Sequence, residues 1–158
     1  MSAPLILGVD PGKTGALAWH AGDRGLVVHD MPDLTGAALG ACLADLILED
    51  DRPVEAWVES QVGRPGQSSS AMFTFATNYG VILGTLGALN VPVRLVTPAA
   101  WKRAARLSKD KTASRQRAVE LWPHCSHLFA RVKDDGRAEA ALIARHGWLA
   151  RRTTEEEG

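Results

Sequence analysis

Cysteine is scarce in this chain, and an excess of charge of either sign is absent. Cys42 and Cys125 are the only cysteines among 158 residues, and their separation is not typical of a metal site. So few cysteines indicate a reducing compartment rather than a disulfide-stabilised secreted domain. Lys and Arg total 18 and Asp and Glu total 18, so the formal net charge is zero. This balance excludes a uniformly basic protein.

A membrane span and an export signal are also missing from the sequence. The segment 67–93 carries no charged residue, but its asparagines, glycines and hydroxyl side chains make it too polar to span a membrane. The first residues have no basic region ahead of a long apolar stretch, as a signal peptide would have. We therefore predict a protein without membrane contact that acts in the cytoplasm of a bacterial cell or, if it is encoded by a phage, of the host.

Charge is unevenly distributed along the chain. Residues 1–59 contain ten acids and three bases, whereas residues 94–117 contain eight bases and a single acid, Asp110. A basic block of this kind is usually the solvated face of a helix. In a neutral protein it can also bind a polyanion such as DNA. Charge alone leaves both interpretations open.

The hydrophobic pattern predicts a mixed sheet flanked by helices. Strands are predicted over residues 5–10, 16–20, 26–31, 54–60 and 92–97. Helices are predicted over residues 35–49 (with Thr35 as N-cap), 70–89, 98–107, 112–121 and 135–150. The first three strands follow one another through short turns, which favours antiparallel pairing, and the later alternation of helix and strand favours parallel pairing.

These elements make one α/β domain over residues 1–150. Its expected core is a five-stranded sheet of three antiparallel and then two parallel strands. Residues 151–158 contain no apolar side chain, so we predict a disordered acidic tail there.

The turn after the first strand lacks the spacing of a phosphate-binding loop. Gly12-Lys13-Thr14 matches the end of that motif, but Leu7 stands where its first glycine is required, and Pro11 removes a backbone donor. An actin-like ATPase also begins with a strand, an aspartate and a glycine turn, but it needs a second phosphate motif and a longer chain. What remains is a strand that ends in Asp10 ahead of a tight turn.

Four carboxylates stand where this fold could bring them together. Asp10 and Glu59 end two predicted strands, and Asp135 and Glu139 are four residues apart at the start of the last helix. On a helix that spacing leaves the last two about 40° apart, so they share a face. Each acid also has a plain structural role open to it, as a turn residue, a helix cap or a solvated side chain. If the four converge, their repulsion requires a divalent cation, and oxygen ligands favour Mg²⁺ or Mn²⁺ over zinc.

Five motifs in order along the chain resemble the RuvC-like Holliday junction resolvases of the RNase H-like superfamily. They are Leu-Ile-Leu-Gly-Val-Asp-Pro-Gly-Lys-Thr-Gly-Ala from residue 5, Val-Glu-Ser at 58–60 with the Pro-Gly-Gln loop at 65–67, Met72-Phe73 with Tyr79-Gly80, Thr-Pro-Ala-Ala-Trp-Lys at 97–102, and Lys-Asp-Asp-Gly-Arg-Ala-Glu-Ala-Ala-Leu-Ile-Ala from residue 133. The resemblance extends over nearly the whole chain and is greatest to the short phage and bacterial members.

The resemblance implies a two-metal nuclease whose ligands are Asp10, Glu59, Asp135 and Glu139. These four would hold two Mg²⁺ ions, for which Mn²⁺ would substitute. The bacterial pattern spaces the last two acids three residues apart, whereas here they are four apart, as in the chloroplast-type pattern, which has histidine at the position of Asp135. Helix geometry favours Asp135 over Asp134, because Asp134 would lie about 140° from Glu139 and would instead cap the helix or face solvent.

The resemblance also implies a DNA surface and a dimer. The family's basic contacts fall on Lys102 and Lys111, and Val62 stands where bacterial members carry an aromatic wedge, so the loop 63–70 and Phe73 are candidates to replace it. The full predicted DNA-binding set is Lys13, Arg64, Gln67, Phe73, Lys102, Arg103, Lys111 and Arg115. The family dimerises through the helix predicted here over residues 70–89, so we predict a homodimer.

The function that follows is resolution of four-way DNA junctions by paired symmetric nicks. One alternative is a related nuclease that acts on flaps, forks or RNA–DNA hybrids. Another is a junction-binding protein without catalysis, against which the four intact carboxylates argue.

Overall fold

The centre of the computed structural model, which describes residues 4–22, 25–33, 35–62 and 65–156, is a five-stranded mixed sheet. Its strands are β1 (Leu5–Asp10), β2 (Ala16–His20), β3 (Leu26–Asp30), β4 (Val54–Glu59) and β5 (Val93–Val96). The strand order is β3-β2-β1-β4-β5. The first three strands pair antiparallel, whereas β4 is parallel to β1 and β5 is parallel to β4. The predicted fold class is confirmed.

Helices cover both faces of this sheet. They are α1 (Ala37–Leu48), α2 (Ser69–Ala88), α3 (Pro98–Ala104), α4 (Ala113–Leu121) and α5 (Asp135–Glu156). Short 3₁₀ turns over Pro123–Phe129 and Val132–Asp134 connect α4 to α5. Within the described ranges, no helix is both long and apolar enough to cross a membrane.

Alternation along the strands divides the core between the two faces. Leu5, Leu7 and Val9 of β1 pack on the side of α1 and α2, because successive side chains of a strand point in opposite directions. Ile6 packs on the other side with the small residues of α5, among them Ala140. A further cluster buries Trp101 of α3 and Val96 of β5 against Leu142 and Ile143 of α5.

Two glycines let α5 lie directly against β1 and the turn that follows it. A Cβ on Gly8 would stand 2.2 Å from the carbonyl oxygen of Ala140 and 2.4 Å from the backbone nitrogen of Ala144. A Cβ on Gly136 would stand 2.3 Å from the carbonyl oxygen of Thr14. Neither contact leaves room for a side chain, so both glycines are required where the helix meets the sheet. This packing fixes the first turns of α5 beside the carboxyl end of β1.

The prediction of a disordered tail over residues 151–158 is wrong as far as the structure describes that segment. Helix α5 continues to Glu156, six residues beyond the predicted end at Ala150. The guanidinium of Arg152 lies 4.9 Å from the centroid of the Trp148 ring, and Arg151 Nε lies 3.5 Å from Glu55 Oε2. Extending an existing helix requires no new nucleation, so these polar contacts are sufficient without apolar residues.

The predicted N-cap of the first helix is also wrong. Helix α1 begins at Ala37 rather than beside Thr35, and Gly36 occupies the N-cap position with a φ of 83° and no side-chain cap. A glycine adopts this positive φ without the strain that a threonine would meet.

Candidate active site

The parallel pairing of β1 with β4 places two of the predicted acids at the same edge of the sheet. Val9 is opposite Val58 in this register, so Asp10 and Glu59 are neighbours at the carboxyl ends of the two strands. Glu59 is only 8% exposed. Helix α5 crosses this edge and brings Glu139 to the same place, close enough for its charge to act on Asp10.

Burial and mutual repulsion disfavour the charged form of these acids. Burial first, and then the charges of Glu139 and Glu59, raise the pKa of Asp10 from 3.8 to about 8, while Lys102 acts in the opposite direction. Burial also raises the pKa of Glu139, with Glu59 and Asp135 adding to the effect and Lys102 opposing it. Lys102 is thus a base that acts on both acids, and it offsets only part of the effect of burial and repulsion.

Glu59 is held by neutral donors on both of its oxygens. The indole Nε1–H of Trp101 donates to Oε2 at 2.7 Å, and the side-chain amide of Gln61 donates to Oε1 at 2.8 Å. Trp101 comes from α3 and is fully buried, so its position is set by the core. These bonds orient the carboxylate without neutralising it.

The two acids at the start of α5 have different environments. Asp135 is 47% exposed and accepts a hydrogen bond from Arg115 Nε of α4 at 2.6 Å. Asp134 is 1% exposed and accepts from the backbone nitrogen and Nη2 of Arg131, both at 2.8 Å. The hydrogen bond from Arg131 lowers the pKa of Asp134. Asp134 is therefore bonded within the turn that precedes the helix and is buried, whereas the sequence predicted that it would cap the helix or face solvent.

The chemistry of these side chains fits a hard divalent cation. All four predicted ligands offer carboxylate oxygens, the donors that Mg²⁺ and Mn²⁺ prefer. Burial first, and then the charges of Glu139 and Glu59, raise the pKa of Asp10, and a bound cation would oppose this rise. In the described part of the chain, no three His, Cys, Asp or Glu side chains stand close enough to hold one ion between them. One edge of the sheet carries Asp10, Glu59 and Glu139. The charge of Asp135 raises the pKa of Glu139, and Asp135 itself forms an ion pair with Arg115.

Most of the predicted DNA-binding side chains that the structure describes are exposed. Lys102 and Arg103 of α3 and Lys111, just before α4, all face solvent. Lys102 is closest to the chemistry, because its charge acts on two of the carboxylates. Lys13 is exposed in the turn after β1, where it lines a cleft of 500 Å³ with Asn78 of α2.

The remaining members of that set have mixed outcomes. Gln67 is exposed ahead of α2, and Phe73 on the first turns of α2 is 75% exposed. Arg115 is largely buried and bonded to Asp135, so it lies inside the site rather than on the open surface. Arg64 lies outside the described residues.

Sequence reasoning missed the side chains that surround the acids. Trp101 has a place in the motif at 97–102 but no predicted role in the site, yet it bonds to Glu59, 42 residues away. Gln61 was assigned no role, and the Ser114 hydroxyl lies 3.4 Å from Glu139 Oε1. The sequence offered one signal for Trp101, its place next to the predicted DNA contact Lys102.

No family model matches the sequence, and the comparison with curated proteins found no match. Solved structures do match. Thermus thermophilus RuvC in complex with a Holliday junction substrate is similar with a TM-score of 0.62 and 14% identity, over 94% of this chain and 96% of that chain. Thermus thermophilus RuvC in a second structure gives a TM-score of 0.53 and 18% identity, over 90% of this chain and 96% of that chain.

The chain therefore has the RNase H-like fold of the RuvC resolvases. At these identities the likeness establishes the fold, and the chemistry has to follow from the residues of this chain.

Proposed function

We propose that this protein is a metal-dependent endonuclease that cleaves branched DNA, with the four-way junction as its substrate. The observation that carries the proposal is the proximity of Asp10, Glu59 and Glu139 at one sheet edge, where burial first, and then the charges of Glu139 and Glu59, raise the pKa of Asp10 to about 8. These three side chains do not stand close enough to hold one ion between them, so binding of a cation would have to draw them together. Carboxylates placed this close together destabilise the fold unless a cation neutralises them. A metal-dependent nuclease needs such a cluster to bind its cation, and this need accounts for the arrangement.

The residues that would hold the metal are Asp10, Glu59, Asp135 and Glu139, with two Mg²⁺ ions as the proposed complement and Mn²⁺ as a substitute. Bound there, the ions would supply an activated water and stabilise the leaving oxygen of a phosphodiester. Arg115 is bonded to Oδ1 of Asp135, and its positive charge would oppose a cation at this carboxylate.

The DNA surface in this proposal begins beside the carboxylates. Lys102 acts electrostatically on Asp10 and Glu139 and is itself exposed, so a phosphate bound by Lys102 would lie close to the acids. Arg103 and Lys111 extend the exposed positive charge away from the site. Such contacts position the sugar–phosphate backbone without reading its sequence.

The choice of a junction rests on the fold and on α2. The chain has the fold of a protein whose structure contains a Holliday junction substrate. Helix α2 is largely exposed: Phe73 is 75% exposed and Met72 is 42% exposed, and its buried residues are Ile82 and Leu86. Large apolar side chains that are exposed next to each other favour an interface.

We propose a homodimer through α2. A groove beside the helix is lined by Gly36, Gly40, Val81, Gly84, Thr85, Ala88 and Leu89. Small residues allow two helices to approach closely, and a two-fold axis would set two active sites in the symmetry of a four-way junction. Paired symmetric nicks would follow.

A panel of labelled substrates tests the proposal. The wild-type protein is incubated with a four-way junction, a fork, a flap, an RNA–DNA hybrid and plain duplex, each with Mg²⁺ or with EDTA. We expect Mg²⁺-dependent cleavage of the junction far above that of duplex. If flaps, forks or hybrids are cleaved in preference to the junction, the proposed substrate is wrong and the metal-dependent nuclease activity stands. Tight binding of the junction without cleavage in Mg²⁺ or Mn²⁺ would contradict the nuclease function.

A further inference from the structure

We infer that Trp101 is a positioning residue for Glu59, whose carboxylate it holds in the orientation that receives the divalent cation. The inference rests on the proposed function, because it assigns Glu59 to the metal site. It concerns a side chain that would touch neither the ion nor the DNA.

The contact between the two residues is short and rigid. Trp101 Nε1 donates to Glu59 Oε2 at 2.7 Å, and the indole ring is fully buried. Val96, Leu142 and Ile143 belong to the same core cluster and surround the ring. A donor fixed by packing restricts the carboxylate that accepts from it, and such outer contacts tune ligands to metals.

The chemistry of the donor suits a ligand that must stay available. An indole N–H donates one hydrogen bond, carries no charge and has no acceptor that could compete for a cation. Each carboxylate oxygen has two acceptor sites, so the bonds from Trp101 and from Gln61 leave one site free on each oxygen of Glu59. Arg115, by contrast, is bonded to Asp135 as an ion pair, and its positive charge opposes a cation at that carboxylate.

Helix α3 contributes two successive residues to the site, of which the first is buried and the second is exposed. Trp101 points into the core and bonds to Glu59, and Lys102 is exposed and acts on Asp10 and Glu139. The Lys102 Nζ lies 5.2 Å from the centroid of the Trp101 ring. Replacement of Trp101 could therefore act through Lys102 or through general loss of packing. It must be compared with a variant that removes an indole-to-glutamate hydrogen bond away from the site.

The same strand provides that matched control. Trp57 Nε1 donates to Glu55 Oε1 at 2.9 Å, and Glu55 is a buried acid four residues before Glu59 on β4. Glu55 is paired with Arg94 and belongs to no proposed metal site. Trp57→Phe and Trp101→Phe thus each remove one indole donor from a buried glutamate of β4.

The experiment is a Mg²⁺ titration without DNA, followed through the tryptophan indole N–H signals in ¹H–¹⁵N NMR spectra and through the melting temperature. Each indole signal is assigned by its loss in the corresponding Phe variant. In the wild type we expect Mg²⁺ to move the Trp101 signal and to leave the Trp57 signal in place. Trp101→Phe should weaken Mg²⁺ binding by about tenfold or more, as loss of an outer-shell contact does, and Trp57→Phe should leave it unchanged.

The outcomes separate this inference from the proposed function. If the wild type binds Mg²⁺ at the carboxylates and Trp101→Phe binds it equally well, Trp101 only packs and the inference is wrong. If Trp101→Phe does not fold, the Trp101 signal is assigned as the one that Phe variants of the other four tryptophans leave in place. The wild-type titration then decides, because a Trp101 signal that stays still while Mg²⁺ binds also contradicts the inference. If the wild type binds no Mg²⁺ or Mn²⁺, the proposed metal site is wrong and the inference fails with it.

Discussion

Replacement of Asp10 by Asn should stabilise this protein at pH 8 when divalent metal is removed. The pKa of Asp10 is raised from 3.8 to about 8 in the folded protein, first by burial and then by the neighbouring acids. Between these two values the folded state binds more protons than the unfolded chain, so the contribution of Asp10 to stability falls as pH rises. The loss of stability that comes from ionising Asp10 in the folded protein is absent below about pH 4 and complete above about pH 8.

The size of the effect follows from the same two values. A difference from 3.8 to about 8 corresponds to a limit of about 6 kcal/mol, at about 1.4 kcal/mol per pKa unit. The acids share their repulsion, and local relaxation with entry of water lowers the cost, so we expect a gain of about 2 kcal/mol. For a domain of this length that gain raises the melting temperature by roughly 4–8 °C.

Thermal unfolding of both proteins in EDTA from pH 5 to pH 8 measures this effect. The difference in free energy of unfolding between Asp10→Asn and the wild type should grow with pH across this range. Asp51→Asn makes the same chemical change at an exposed acid and should show no such trend. Mg²⁺ should raise the melting temperature of the wild type more than that of Asp10→Asn, because an ion that binds only the native state stabilises it. A variant that is no more stable than the wild type at pH 8 would refute the electrostatic reasoning.

Three further predictions concern DNA binding, the start of α5 and assembly. Lys102→Ala and Lys111→Ala should each reduce the slope of log affinity against log salt by about one unit, measured on a junction in Ca²⁺; unchanged slopes in both variants would relocate the DNA surface. Asp134→Asn should lower the free energy of unfolding by about 1–3 kcal/mol, because it weakens buried bonds to Arg131, and should keep cleavage. Asp135→Asn should abolish cleavage with little loss of stability, and the reverse pattern would show that Asp134 is the ligand. Analytical ultracentrifugation should show a dimer, and a strict monomer at micromolar concentration that still makes paired nicks would contradict the interface at α2.

Much of the fold could be predicted from local patterns. The alternation of apolar residues and the positions of turns gave β1 and β2 with their observed bounds, and the other strands within one residue at each end. The mixed pairing followed from the order of elements, because adjacent strands with short turns pair antiparallel. Asp10 and Glu59 could each be predicted to end a strand, but their place at one edge depends on the pairing of β1 with β4, which are not consecutive in the sequence.

Contacts between distant parts of the chain could not be predicted in this way. The bond from Trp101 to Glu59 joins residues 42 positions apart, and an aromatic side chain in a helix reads locally as packing. The end of α5 depends on Arg151 meeting Glu55 from a separate strand. The pairing of Arg115 with Asp135 likewise depends on how α4 packs against α5.

Single-turnover cleavage of an end-labelled four-way junction by the wild type and by Asp10→Asn, with binding measured in Ca²⁺ on the same samples, tests the carboxylate site most directly. Asp10→Asn removes an acid from the cluster and leaves the exposed bases of α3 unchanged. We predict that the variant binds the junction as the wild type does and that its cleavage in Mg²⁺ falls by orders of magnitude. A variant that cleaves as fast as the wild type would contradict the assignment of this carboxylate cluster as the active site.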